Sequence, residues 1–225
     1  MDITSYLLGR QSAGGGGGDT PDLSDYFETN LGAGSNWMSS IKQIPALTVN
    51  ASSLSGFFSG YNGEELPEVT YVQDIISIDN FLVCQNLKTA DLTGMTLDYE
   101  NVFLDVLEEE GQINVQGTGL DNMGYECPQL AVLDISNFDF SQLTNDFKTY
   151  FEGRQMFYSI GRECLETDGA YADGMPLIYV KNAFSQQFVI EHGDYDESWD
   201  WDEETQEEIY NKTLLWSTDN VVIKA

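Results

Sequence analysis

Apolar and polar positions along this chain follow a pattern that repeats. Cys84-Gln-Asn-Leu87-Lys-Thr-Ala90-Asp-Leu92-Thr-Gly-Met95 aligns with Cys127-Pro-Gln-Leu130-Ala-Val-Leu133-Asp-Ile135-Ser-Asn-Phe138. Both read C-x-x-L-x-x-(A/L)-D-(L/I)-(S/T)-x-(M/F), 43 residues apart. Upstream, Ile44-Pro-Ala-Leu47-Thr-Val49 aligns with Leu66-Pro-Glu-Val69-Thr-Tyr71 at an offset of 22. Because 43 is close to twice 22, a unit of about 22 residues accommodates both offsets, within the range of leucine-rich repeats. In L-x-x-L-x-L the last two apolar positions are two apart, as one buried strand face requires. The C-x-x-L spacing, with Phe81 three residues before Cys84, suits a helical turn behind that strand. Each unit then buries its apolar side against its neighbours. The repeat core so defined is Phe81, Cys84, Leu87 and Leu92 in one unit, and Cys127, Leu130, Leu133, Ile135 and Phe138 in the other.

This spacing predicts strands beginning near Ile44, Leu66, Lys88, Ile113, Leu130 and Pro176. Two segments depart from it. Residues 100–117 read as helix and then strand. In residues 143–164, Phe147, Tyr150, Phe151, Arg154, Phe157 and Tyr158 recur at i, i+3, i+4, which predicts a helix of about three turns with an aromatic core face. Toward the end, residues 176–180 predict a strand, residues 182–190 a helix capped by Asn182, and residues 220–224 a last strand. A strand–helix–strand ending behaves like a cap over the open end of a repeat array. The expected fold class is therefore α/β: a leucine-rich-repeat solenoid of short parallel strands and helices with a C-terminal strand–helix–strand cap.

Before the repeats stand five consecutive glycines, residues 14–18. Glycine maximises chain entropy, so the run reads as a flexible tether. It separates a short peptide in which Ile3, Tyr6, Leu7 and Leu8 sit at near-helical spacing. Ten residues do not fold alone. They are either a frayed terminus or a docking peptide that orders on a partner, and an apolar cluster ahead of a tether favours docking. The expected organisation is residues 1–13 docking peptide, 14–20 tether, 21–175 repeat domain and 176–225 cap with an acidic insertion.

Composition narrows the function classes. The 225 residues carry 38 acidic and 9 basic side chains, a net charge of −29, and one histidine. Nucleic-acid binding needs clustered Lys and Arg to release counterions, and anionic membranes need the same; neither is expected as a partner. One histidine argues against multi-histidine metal sites and His-based triads. With 41% hydrophobic and 12% aromatic residues, the chain can bury a core rather than remain disordered. No run of 18 apolar residues marks a membrane span. The start lacks the basic and apolar regions of a secretory signal, so folding in a cytoplasm is expected. Cys84, Cys127 and Cys164 are an odd set without CxxC spacing, which reads as buried free thiols.

The acidic residues invite two chemical readings. Paired carboxylates could serve a glycosidase, but the sequence offers dozens of pairs and no means of choosing. Asp194, Asp196, Asp200 and Asp202 form the densest group, a solvated acidic loop or, more weakly, a calcium site. The EF-hand register fails: counting from Asp194, position 6 is Trp199 and position 12 is Thr205. Trp199 and Trp201 stack sugars, anchor an interface or cover the cap. His192 lies near a helix end, where it meets the terminal carbonyls. No active site or cofactor is expected, and the chain does not read as an enzyme.

The motifs FLVCQNLKTADLTGM and CPQLAVLDISNFDFSQLTN resemble BspA-type leucine-rich repeats, and the stretch from PLIYVKNAFSQQFVI to WSTDNVVIKA is similar to the cap that follows such repeats. The leader MDITSYLLGRQSAGGGGG with DLSDYFETN resembles proteins of phages and prophages of Gram-positive bacteria. Tyr61 stands near the place where a repeat cysteine is expected. The resemblance implies a virion structural protein assembled in the host cytoplasm: a head fibre, capsid decoration or tail-fibre component. Its partners would be capsid, portal or tail proteins held through residues 1–13, with a host surface glycan or protein on the outer face and a homotrimer as one assembly. The alternatives are a bacterial cell-surface adhesin and a carbohydrate-active enzyme.

Overall fold

The computed structural model describes residues 47–49, 52–102, 104–109, 112–124, 127–144, 156–157, 160, 175–202 and 207–224. Its first three strands are β1 (Leu47–Val49), β2 (Val69–Tyr71) and β3 (Thr89–Asp91), each three residues long. Then come β4 (Leu104–Glu109), β5 (Gln112–Thr118), β6 (Val132–Asp134), a 3-10 turn at Phe140–Gln142 and β7 (Leu177–Val180). Helix α1 (Ala183–Glu191), β8 (Tyr195–Asp202), β9 (Glu207–Leu214) and β10 (Val221–Ile223) complete the order. The described residues are mixed α and β with few helices, built on a four-stranded parallel sheet in the order β10-β7-β6-β3. β1 and β2 form a separate parallel pair.

The strands are short because the residues that end them compete for the backbone. The Asp91 carboxylate accepts from the Thr93 N–H at 2.9 Å and from its hydroxyl at 2.6 Å. Asp134 does the same with Ser136 at 3.0 and 2.6 Å. This D-x-(S/T) turn offers a local partner to a donor that would otherwise extend the ladder.

Register aligns the apolar positions. Ala90 pairs with Leu133, Leu133 with Ile178 and Ile178 with Val221, and all four are buried. A second backbone ladder runs behind the first. The N–H groups of Leu54, Gly56, Phe58 and Gly60 donate to the carbonyls of Ser77, Asp79, Phe81 and Val83. Those of Ile78, Asn80 and Leu82 donate to Gly119, Asp121 and Met123. Asn122 continues to Met156, and Phe157 to His192. Successive passes of the chain thus stack in parallel through two sets of inter-pass hydrogen bonds. The core lies between them and contains all nine predicted repeat-core residues: Phe81, Cys84, Leu87, Leu92, Cys127, Leu130, Leu133, Ile135 and Phe138.

At Gly119 two passes come close together. A β-carbon there would lie 2.4 Å from the Ile76 carbonyl oxygen and 3.0 Å from the Ser77 Cα. Gly56 is different: its φ of +64° is left-handed and nothing lies within 4 Å of a β-carbon.

Several expectations are corrected. The Phe81–Leu87 stretch holds a turn but no helix: the Leu82 N–H donates to the Met123 carbonyl and the Cys84 N–H to the Cys127 sulfur, both on the next pass, while the Phe81 N–H closes back on Ile78. Within residues 100–117 the expected helix is replaced by the antiparallel β4–β5 hairpin, Glu109 facing Gln112 across a two-residue connection. The acidic stretch from residue 195 is an ordered strand paired antiparallel to β9. Phe157 is in a parallel bridge with Gly193 rather than a helix. Phe147, Tyr150, Phe151, Arg154, Tyr158 and Cys164 lie outside the described residues. Helix α1 starts as expected, with the Asn182 side chain accepting from the Ser185 N–H at 2.8 Å. Among the described residues no helix is long and apolar enough to cross a membrane.

Candidate functional site

The acids beside the parallel strands are committed to structure. Asp91 and Asp134 are Cα partners on adjacent strands. The Lys224 ammonium bonds the Asp134 carboxylate and stands 5.7 Å from the centre of the Tyr179 ring. Burial would raise the Asp134 pKa, but hydrogen bonds from Lys224 and Ser136 outweigh it and hold it low. Burial, followed by the Asp91 charge, pushes the Tyr71 phenol well above its usual range.

Asp139 is tied more tightly. It accepts from the Ser141 hydroxyl at 2.5 Å and the Asn182 amide at 2.9 Å, and its other oxygen lies 3.3 Å from Lys181. Burial acts to raise it, yet these bonds hold its carboxyl far below the usual range. Asp139 therefore clamps the start of α1 to the chain that follows β6.

Asp79 lies within charge range of Asp121. Burial and the Asp121 charge raise the Asp79 pKa against an opposing bond from Asn80. Both Asp121 oxygens are bonded by Thr118, one by its N–H and one by its hydroxyl, each at 2.8 Å. That ties Asp121 to the turn after β5.

The cysteines bond the backbone across passes. Cys84 and Cys127 are free and buried. The Cys84 thiol donates to the Phe58 carbonyl at 3.1 Å, and the Cys127 thiol to that of Leu82 at 3.3 Å. Cys127 sulfur also receives the Cys84 N–H at 3.3 Å. Tyr61 reaches the Glu65 carbonyl at 3.0 Å instead. His192 ends α1 with its backbone N–H on the Phe188 carbonyl, while its ring packs 4.5 Å from the Phe188 ring.

The calcium candidates are not gathered. Asp194 is buried just before β8, and Asp196, Asp200 and Asp202 occupy alternating positions along it. At about 3.4 Å per residue, positions 196 and 202 lie roughly 20 Å apart, whereas a calcium ion needs its oxygens at about 2.3–2.6 Å. Among the described residues no group of three or more His, Cys, Asp or Glu side chains is placed to hold a metal. Ile3, Tyr6, Leu7 and Leu8 lie outside the described residues.

The sequence reading missed the β8–β9 ribbon. Its ladder sets Trp199 opposite Tyr210 and Tyr195 opposite Leu214. Tyr210 and Leu214 are 44% and 39% exposed, and the Lys212 ammonium stands 3.7 Å from the centre of the Tyr195 ring. The signal was present as aromatic residues two apart at 199 and 201, hidden within a run of acids. No protein-family model, curated protein or solved structure matches the chain.

Proposed function

We propose that the chain is a structural protein of a phage virion, an appendage anchored through residues 1–13 and tethered by glycines 14–18, whose repeat domain projects outward. The finer architecture we propose with it is a leucine-rich-repeat solenoid closed by the cap formed by β7, α1 and β10. One observation carries the reading: parallel passes stacked through backbone hydrogen bonds, with Asp91, Asp121, Asp134 and Asp139 each held in a turn or an ion pair, the build of a scaffold. Such a stack is a spacer, since each pass depends only on its neighbours and length is gained without a larger core. Its negative surface stays soluble and is repelled by the genome during assembly. Capsid, portal or tail proteins are the proposed anchor, with a host glycan or protein as the outward ligand.

Immuno-electron microscopy of particles and host cells tests this. Label on particles is the expected result. Label confined to the cell surface would assign the chain to the adhesins. Polysaccharide cleavage that is lost on Asp79→Asn would assign it to the enzymes, because Asp79 is the carboxyl with the raised pKa beside a second carboxylate.

A further inference from the structure

We infer that the β8–β9 ribbon is a docking surface for a lysine- or arginine-bearing segment of another protein, an interaction independent of the N-terminal anchor. β8 and β9 pair only with each other among the described residues, so the ribbon stands apart from the parallel sheet. Strand alternation and the ladder register place Tyr195, Glu197, Trp199 and Trp201 on the same face as Leu214, Lys212, Tyr210 and Glu208. The Lys212–Tyr195 contact agrees with that assignment. Four of these eight positions are aromatic, and the described members Tyr210 and Leu214 are open to solvent.

Charge selects the occupant. Residues 195–214 contain eight acids and a single cation, Lys212. A second copy of this chain, with its own −29 charge, is repelled. Anionic polymers are repelled too. A purely apolar segment would bury the exposed Lys212 ammonium at a desolvation cost. A cationic side chain gains twice, from the ring face and from the flanking carboxylates. The ribbon already displays this chemistry within itself, because Lys212 is held over Tyr195. Further along the same ladder Trp199 stands opposite Tyr210, and neither strand carries a second lysine.

The test uses the full chain, an octalysine peptide with blocked ends, and tryptophan fluorescence with calorimetry at about 150 mM salt, where long-range charge effects are screened. We expect saturable binding, weakened roughly three- to thirtyfold by Tyr210→Ala and restored by Tyr210→Phe, which keeps the ring. Glu64→Gln with Glu68→Gln, remote from the ribbon, should leave it unchanged. Circular dichroism verifies that each variant is folded. Equal weakening by the remote pair would reduce the effect to bulk charge and overturn the proposal, as would absence of binding. Tyr210-dependent binding of a neutral oligosaccharide such as cellohexaose, with no binding of octalysine, would make the ribbon a glycan platform and overturn it as well.

Discussion

Replacing Gly119 by alanine tests the stacking of the passes at a close backbone approach. The new methyl group would sit 2.4 Å from the Ile76 carbonyl oxygen. Ordinary contact begins near 3.4 Å, so the passes must separate by about 1 Å. The obstructing atom is backbone and cannot rotate away. The Gly119 carbonyl also accepts the Ile78 N–H at 2.6 Å, so the separation stretches a ladder bond. Overpacking of this kind costs about 1–3 kcal/mol, and we expect about 2 kcal/mol of destabilisation. The sign is diagnostic. Gly119 is not left-handed, so without a clash alanine would stabilise by about 0.4–1 kcal/mol through the unfolded state. Gly56→Ala is the comparison: with φ at +64° and open space around it, it should cost about 1 kcal/mol from backbone strain alone. Urea unfolding by circular dichroism reads both. With a slope of about 2 kcal/mol/M, the midpoint should fall by about 1 M for Gly119→Ala and about 0.5 M for Gly56→Ala. A Gly119→Ala midpoint equal to or above that of the unsubstituted protein would refute the stacking.

Other consequences follow from the same contacts. Phe81→Ala should cost about 3–5 kcal/mol in urea unfolding, because Phe81 is fully buried with its ring 5.3 Å edge-on to Phe58; Phe81→Leu should cost clearly less. Asp139→Asn should cost about 1–2 kcal/mol at pH 7 by loosening the clamp on α1. The folded pKa of Asp139 is depressed, so its contribution is complete above the unfolded value of about 3.9 and fades as the pH falls below it. The gap between Asp139→Asn and the unsubstituted protein should therefore narrow below about pH 4; a gap that stays constant would refute the assignment. The net charge of −29 predicts a melting temperature that rises by several degrees between about 10 and 150 mM sodium chloride, as the screening length falls from about 30 to 8 Å. A flat response would mean that repulsion does not limit stability.

The parallel strands were legible because their signal is short and local. Alternating apolar pairs followed by D-x-(S/T) mark β3 and β6 and their ends, an apolar run marks β7, and all three fall within two residues of the expected starts. Asn182 marked α1 because an N-cap acts within one turn. The β4–β5 hairpin was misread because Leu and Glu favour helices locally, while the decisive pairings, Val106 with Val115 and Glu108 with Ile113, lie across the turn. The second ribbon was obscured by charge: a run of acids reads as exposed loop, yet a two-stranded ribbon tolerates acids because much of it faces water. The second backbone ladder left no sequence signal, since main-chain bonds such as Phe58 to Phe81 depend on no side chain.

The most direct test of the proposed role removes residues 1–10 and compares incorporation into particles. Circular dichroism and urea unfolding of the purified truncated chain should match the full chain, since ten residues ahead of a run of five glycines do not fold alone. Particles assembled with the truncated chain should then lack it on immunoblots of gradient-purified virions. Truncated protein loaded at the full chain's level would contradict the N-terminal anchor.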